Sequence, residues 1–191
     1  MRRHETAHSR SVTVLQVDSP KVSYPQPLKA LVMRELLVDL ARYQLWANDV
    51  YRRIILSVGS EDYDAPTGLS CGTLREVCAH INAAMTRCLT IVGKNRDTEE
   101  SDIEPLYKAT REELMATWKR NDEAYLALCL DSKLKHIRVE EFSVLPVENF
   151  LAQYVNHTTH HRGTLPIILR KLGYEPTDTD YLGYLFIKHR K

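Results

Sequence analysis

The chain has 191 residues and a formal charge of +1, with 26 Lys and Arg against 25 Asp and Glu. At 43% hydrophobic and 27% charged residues, with only 7 Gly and 8 Pro, collagen-like, low-complexity and wholly disordered classes are excluded, and the length suits one globular domain. The balanced charge supplies none of the basic field that non-specific nucleic-acid binding needs, and no apolar run approaches the roughly 18 residues of a membrane span, so neither is expected as a partner.

Residues 1–28 carry Arg2, Arg3, Arg10 and Lys21 among serines and the prolines Pro20, Pro25 and Pro27. They lack the apolar core of a secretory signal and read as a flexible leader ahead of a domain over 29–191. From Leu28 onward, apolar residues recur three and four apart through Leu36, Leu37, Leu40, Ala41, Leu45, Ile54 and Ile55, which predicts a long amphipathic helix ending near Gly59. A turn-rich connection, Glu61–Gly72, leads to a second helix marked by Leu74, Val77, Cys78, Ile81, Met85, Cys88 and Val92 and stopped by Gly93. The acidic stretch Asp97–Glu104 and Pro105 separate it from a third helix, from about Lys108 to Cys129. His136–Leu145 alternates only in short pieces and reads as either a brief strand or an extended loop. A fourth helix runs from Pro146 to Lys171 and Gly173, kinked at Pro166, which cannot donate to the carbonyl of Arg162. Asp178–Lys191 reads as a short helix or an extended tail.

Four amphipathic helices with no convincing sheet pattern predict an all-α chain, an antiparallel four-helix bundle with a short C-terminal extra segment. The four cysteines show no C-x-x-C spacing. Cys78, Cys88 and Cys129 fall within apolar helical patterns and read as small buried hydrophobes, their thiols reduced in a cytoplasm.

Five of the eight histidines, His80, His136, His157, His160 and His161, fall in or beside the predicted helices. With His161 at zero on the helical wheel, Phe150, Tyr154, Leu165 and Ile168 lie within about 40°, so the inward stripe of the fourth helix is expected to centre on His161. His157 stands about 40° away and His160 about 100°. Two imidazoles one turn apart are the H-x-x-x-H arrangement that offers two nitrogens to one cation; core histidines bonded to carbonyls or water are the alternative. His80 lies at the edge of the second helix's stripe, nearest Ala84, where it enters a groove between helices either as a third ligand or in a packing role. Tyr43, Asn48 and Tyr154 read as packing residues that can also line such a site. His160 and Arg162 read as a solvated flank in preference to an anion site.

The run NHTTHHRGTLPIILRKLG (Asn156–Gly173), the first-helix segment ARYQLWANDVYRRII (Ala41–Ile55) with its W-A-N at Trp46, Ala47 and Asn48, and LSCGTLREVCAHI (Leu69–Ile81) together resemble the DinB/YfiT-like metalloenzymes over about residues 30–186. That resemblance implies a damage-inducible DinB-like bundle with one divalent ion, zinc or nickel, held by three histidines that correspond to His80, His157 and His161. It also implies a homodimer and a small-molecule substrate, with thiol-dependent transferases and isomerases that use low-molecular-weight thiols among the relatives. Asn82–Cys88 departs from the family pattern, reading NAAMTRC where an acidic residue and an aromatic are frequent. Three neutral imidazoles leave such an ion an open position, so it can lower the pKa of a bound water to about 7 or hold a thiolate. The function expected is a metal-dependent transferase or hydrolase, with a non-catalytic, stress-related helical dimer as the alternative. No G-x-S-x-G elbow, Walker loop or dinucleotide fingerprint is present.

Overall fold

A computed structural model describes residues 26–94, 96–131, 133, 136–139 and 142–190. Among the described residues eight helices and one hairpin succeed one another: α1 (Gln26–Ser57), α2 (Ser60–Tyr63), α3 (Leu74–Lys94), α4 (Glu100–Lys108), α5 (Arg111–Leu130), β1 (His136–Val139), β2 (Phe142–Pro146), α6 (Val147–Arg162), α7 (Leu165–Lys171) and α8 (Tyr181–Lys188). The leader expected over 1–28 lies outside the described residues except for its last three, which open α1.

Local chemistry explains where the boundaries differ from the sequence reading. The third helix begins at Arg111 because Thr110 and Glu113 form a reciprocal cap: the Thr110 hydroxyl accepts from the Glu113 N–H, and the Glu113 carboxylate accepts from the Thr110 N–H at 2.9 Å. The acidic stretch is no mere spacer, since Glu99 and Asp102 cap each other in the same way and start α4, with Pro105 inside it. The single kinked fourth helix is in fact two. Beyond Arg162 the chain tightens, with the Thr164 N–H donating to the His161 carbonyl at 3.0 Å, and Pro166 sits in the first turn of α7, where its missing donor costs nothing. Gly173 closes α7 at φ +86°, while the Tyr174 N–H reaches back to the Leu169 carbonyl at 2.8 Å. The ambiguous alternating segment forms a hairpin, β1 antiparallel to β2 with Ile137 opposite Leu145, and the tail forms α8.

The architecture is helical. α1 packs on α5 and α6, and α3 packs on α4, α5 and α6. The apolar core falls into two clusters. One gathers Ile55, Leu74, Ile81, Leu114, Trp118, Leu165 and Ile168; the other gathers Leu37, Met85, Cys88, Tyr125, Val147 and Leu151. Along every long helix the boundary between the clusters is occupied by buried polar side chains: Gln44, Asn48 and Arg52 on α1, Asn82 on α3, Asp122 on α5, and Thr158 and Arg162 on α6. Within this layer Asn48, Arg52, Asp122 and Arg162 bond one another across helices, while the Gln44 amide and the Thr158 hydroxyl are buried without a partner. Among the described residues no helix is long and apolar enough to cross a membrane.

Candidate metal centre

His80, His157 and His161 stand at the level of this polar layer, all half-buried, in the groove between α3 and α6. Each offers one ring nitrogen, and the three nitrogens lie within 4.8 Å of one another. His80 Nε2 and His161 Nε2 are 3.1 Å apart, and the His157 and His161 rings are 4.4 Å apart between centroids. His157 Nε2 is buried and has no hydrogen-bond partner. His160 is exposed and stacks edge-on against His161, outside the cluster.

The groove position corrects the wheel. The buried residues of α6 are Val147, Leu151, Tyr154, Val155, Thr158 and Arg162. Their stripe centres about 70° from His161. Thr158 and Arg162, both buried, draw the stripe to that side. His80 enters the groove from the rim of the α3 stripe, where the wheel puts it.

Arg162 is likewise no solvated flank. At 2% exposure it donates from one terminal nitrogen to Asn48 Oδ1 at 2.9 Å, and from the other to the Tyr43 hydroxyl at 2.8 Å and Thr159 Oγ1 at 3.4 Å, with its guanidinium carbon 5.0 Å from the Tyr43 ring centre. Asn48 in turn donates to Asp122 Oδ1 at 2.8 Å, and Arg52 donates to Asp122 Oδ2 at 2.5 Å. Burial pushes the Asp122 carboxyl up from the usual carboxylate range, while Arg52, Asn48 and Arg162 pull it down. The network ties the last turn of α6 to α1 and, through Asn48, to α5, and so fixes the rotation of α6 on which the directions of His157 and His161 depend. The W-A-N segment divides three tasks: Trp46 packs against Tyr184, Ala47 is fully buried, and Asn48 bridges Arg162 to Asp122. Asp122 and Arg52 carry no signal in the sequence, because an acid or a base on an amphipathic helix ordinarily faces water.

Electrostatics favour neutral rings at His157 and His161. Burial, followed by the nearby His80, His157 and His160 rings, lowers His161 to about 4, and burial with His80 and His160 lowers His157 as well. Neutral imidazoles present lone pairs, and a tetrahedral zinc site sets its ligand nitrogens about 3.4 Å apart. The donor set and the unpartnered His157 Nε2 therefore fit a divalent ion, and the cluster can hold one. The chain's own buried thiols are a poor source of nucleophile: burial pushes Cys78 and Cys88 far up and raises Cys129 to about 11.

A cleft of about 470 Å³ opens beside the cluster, with His80 and His157 in its wall and Ala83, Ala84, Arg87, Tyr107, Phe150 and Tyr154 farther along. Its size suits a small molecule. Tyr154 thus borders the site, while Tyr43 and Asn48 act on it through Arg162. The model of the DinB family matches residues 33–191. Protein DinB of Bacillus subtilis (strain 168) is 25% identical to this chain over 166 residues, which span 81% of this chain and 96% of that protein.

Proposed function

The chain belongs to the DinB family, and on that premise we propose that it is a metal-dependent transferase or hydrolase in which His80, His157 and His161 hold one divalent ion, zinc or nickel, and a small molecule is attacked by a thiol or water nucleophile. The observation that carries this reading is the convergence of three imidazole nitrogens from two helices within 4.8 Å, one of them buried without a partner, at the end of a cleft. A divalent ion held only by neutral imidazoles keeps its full charge and free coordination positions, and supplies Lewis-acid activation of the nucleophile. The chain's residues do the rest. Arg162, held by Tyr43 and Asn48, orients α6, and the Ala83, Phe150 and Tyr154 walls present an apolar surface to the small molecule.

In the same reading the domain spans 29–191, and α1, α3, α5 and the α6–α7 unit form an antiparallel four-helix bundle. The protein works in the cytoplasm as a homodimer. Free, buried thiols suit a reducing compartment. Leu182, Phe186 and Ile187 on α8 are each more than half exposed, which suits burial against a second copy. The test is turnover of 1-chloro-2,4-dinitrobenzene with a panel of low-molecular-weight thiols, and of p-nitrophenyl esters with water, by zinc- or nickel-loaded protein. Acceleration that disappears on chelation and in His157→Ala supports the proposal. Rates equal to those of metal-free and His157→Ala protein in both assays overturn it.

A further inference from the structure

The cleft beside the histidines is built from two stripes that run away from them. On α3, His80, Ala83, Ala84 and Arg87 share one face, and Arg87 lies two turns, about 10.5 Å of helix rise, beyond His80. On α6, His157, Tyr154 and Phe150 repeat the same two-turn interval toward the helix N-terminus. Tyr107 of α4 completes the wall. The paired alanines keep the α3 side shallow and open space for a ligand body, while the facing aromatics give it an apolar surface.

The charge in this cleft is one-sided. Among the described residues Arg87 is its sole Lys, Arg, Asp or Glu, and its guanidinium is exposed and forms no ion pair with them. Most exposed arginines are merely solvated; this one stands at the far end of an apolar channel whose other end is a cluster of metal-ligand type. A guanidinium so placed recognises a planar anion through paired N–H donors.

We propose that the cleft takes an elongated small molecule bearing a carboxylate at the end remote from the reacting group, with Arg87 receiving the carboxylate and the apolar body lying over Ala83 and Ala84 against Phe150 and Tyr154. This substrate class rests on the metal-site reading above. Arg87 is a binding and positioning residue, about two helix turns from the histidines, and takes no part in bond making. Its charge acts in partly solvated surroundings, so the selectivity it confers weakens as salt rises.

Calorimetry with two probes of equal chain length, suberic monohydroxamate and octanohydroxamic acid, separates the two ends. The hydroxamate is a metal-seeking group common to both, and only the first carries a distal carboxylate. Zinc-loaded wild type is expected to bind suberic monohydroxamate about tenfold more tightly at low salt. Arg87→Gln removes that ratio while leaving metal content and melting temperature unchanged, and Arg87→Lys keeps part of it. His157→Ala, or removal of the metal, weakens both probes together and leaves the ratio in place. Equal affinities in wild type, a ratio that survives Arg87→Gln, or no binding of either probe overturns the proposal. If both probes bind identically with and without metal, the metal reading fails, and the Arg87-dependent ratio still decides the carboxylate assignment.

Discussion

Replacing Arg162 with Met tests whether the buried polar layer orients the histidines. Met keeps much of the apolar stem and deletes the guanidinium. The change removes two good charge-assisted hydrogen bonds, to Asn48 Oδ1 at 2.9 Å and the Tyr43 hydroxyl at 2.8 Å. Bonds of this kind are worth about 1.5–3 kcal/mol each. Part of that sum is returned, because a buried cation with no carboxylate bonded to it no longer has to be kept out of water. The Tyr43 hydroxyl also still donates to the Thr179 carbonyl at 2.9 Å. The net loss expected is about 2–4 kcal/mol in urea unfolding of metal-free protein, at unchanged denaturant slope. Freeing the last turn of α6 also loosens the His157 and His161 positions, for which a 10- to 100-fold loss of zinc affinity is expected in competition with a chelator. Arg162→Lys, which keeps the charge without the fork, should fall between the two. A loss below about 1 kcal/mol with zinc affinity unchanged would refute the positioning role.

Three further outcomes follow from the same structure. Between pH 6.5 and about 4 the unfolded metal-free chain takes up a proton at residue 161 that the folded chain refuses, because folding lowers His161 to about 4. Stability therefore falls as pH drops through that window and is level above it as far as this group is concerned; His161→Gln should flatten the slope of urea midpoint against pH, and an identical slope in the variant contradicts the assignment. Phe186→Glu, on the exposed apolar face of α8 where Phe186 is 65% exposed, should convert a dimer to a monomer by light scattering with little change in melting temperature; a monomeric wild type, or a variant that stays dimeric, counts against that face as the interface. Gly173→Ala meets no atom within 4 Å of the new Cβ but must hold φ +86°, so it should cost about 1 kcal/mol of conformational energy in urea unfolding. A loss of several kcal/mol would mean that steric fit, not backbone conformation, governs the turn.

The helical character of the chain and the pairing of His157 with His161 were legible because both are written in short-range spacing, three and four residues apart. Gly173 marks a helix end through bonds to its own neighbours, a signal that survives without any knowledge of the fold, and the Thr110-x-x-Glu113 cap is equally local, although the helix was read as starting near Lys108. What the sequence hid is what depends on partners elsewhere in the chain. Arg162 looks solvent-facing on a wheel, and only the distant Asn48 and Tyr43 make it an inward residue, so the buried stripe of α6 was centred on His161 instead of about 70° to one side of it. Pro166 was read as a kink, yet a turn ending at Gly163 and Thr164 lets it open a new helix at no cost. Arg87 and Ala83 become a cleft only when α6 brings Phe150 and Tyr154 across from them. The approach of His80 to the pair was legible only as a groove position on the wheel. The 3.1 Å separation of His80 Nε2 from His161 Nε2 comes from the packing of α3 on α6.

The most direct test is metal content per chain, by elemental analysis of protein purified without a histidine tag and dialysed against trace zinc and nickel. One divalent ion per chain in wild type, reduced to background in His80→Ala, His157→Ala and His161→Ala variants that remain folded, is the result anticipated here. Wild-type protein that holds no ion, or retention of the ion after any one of the three rings is removed, would contradict the claim that these histidines form a single metal centre.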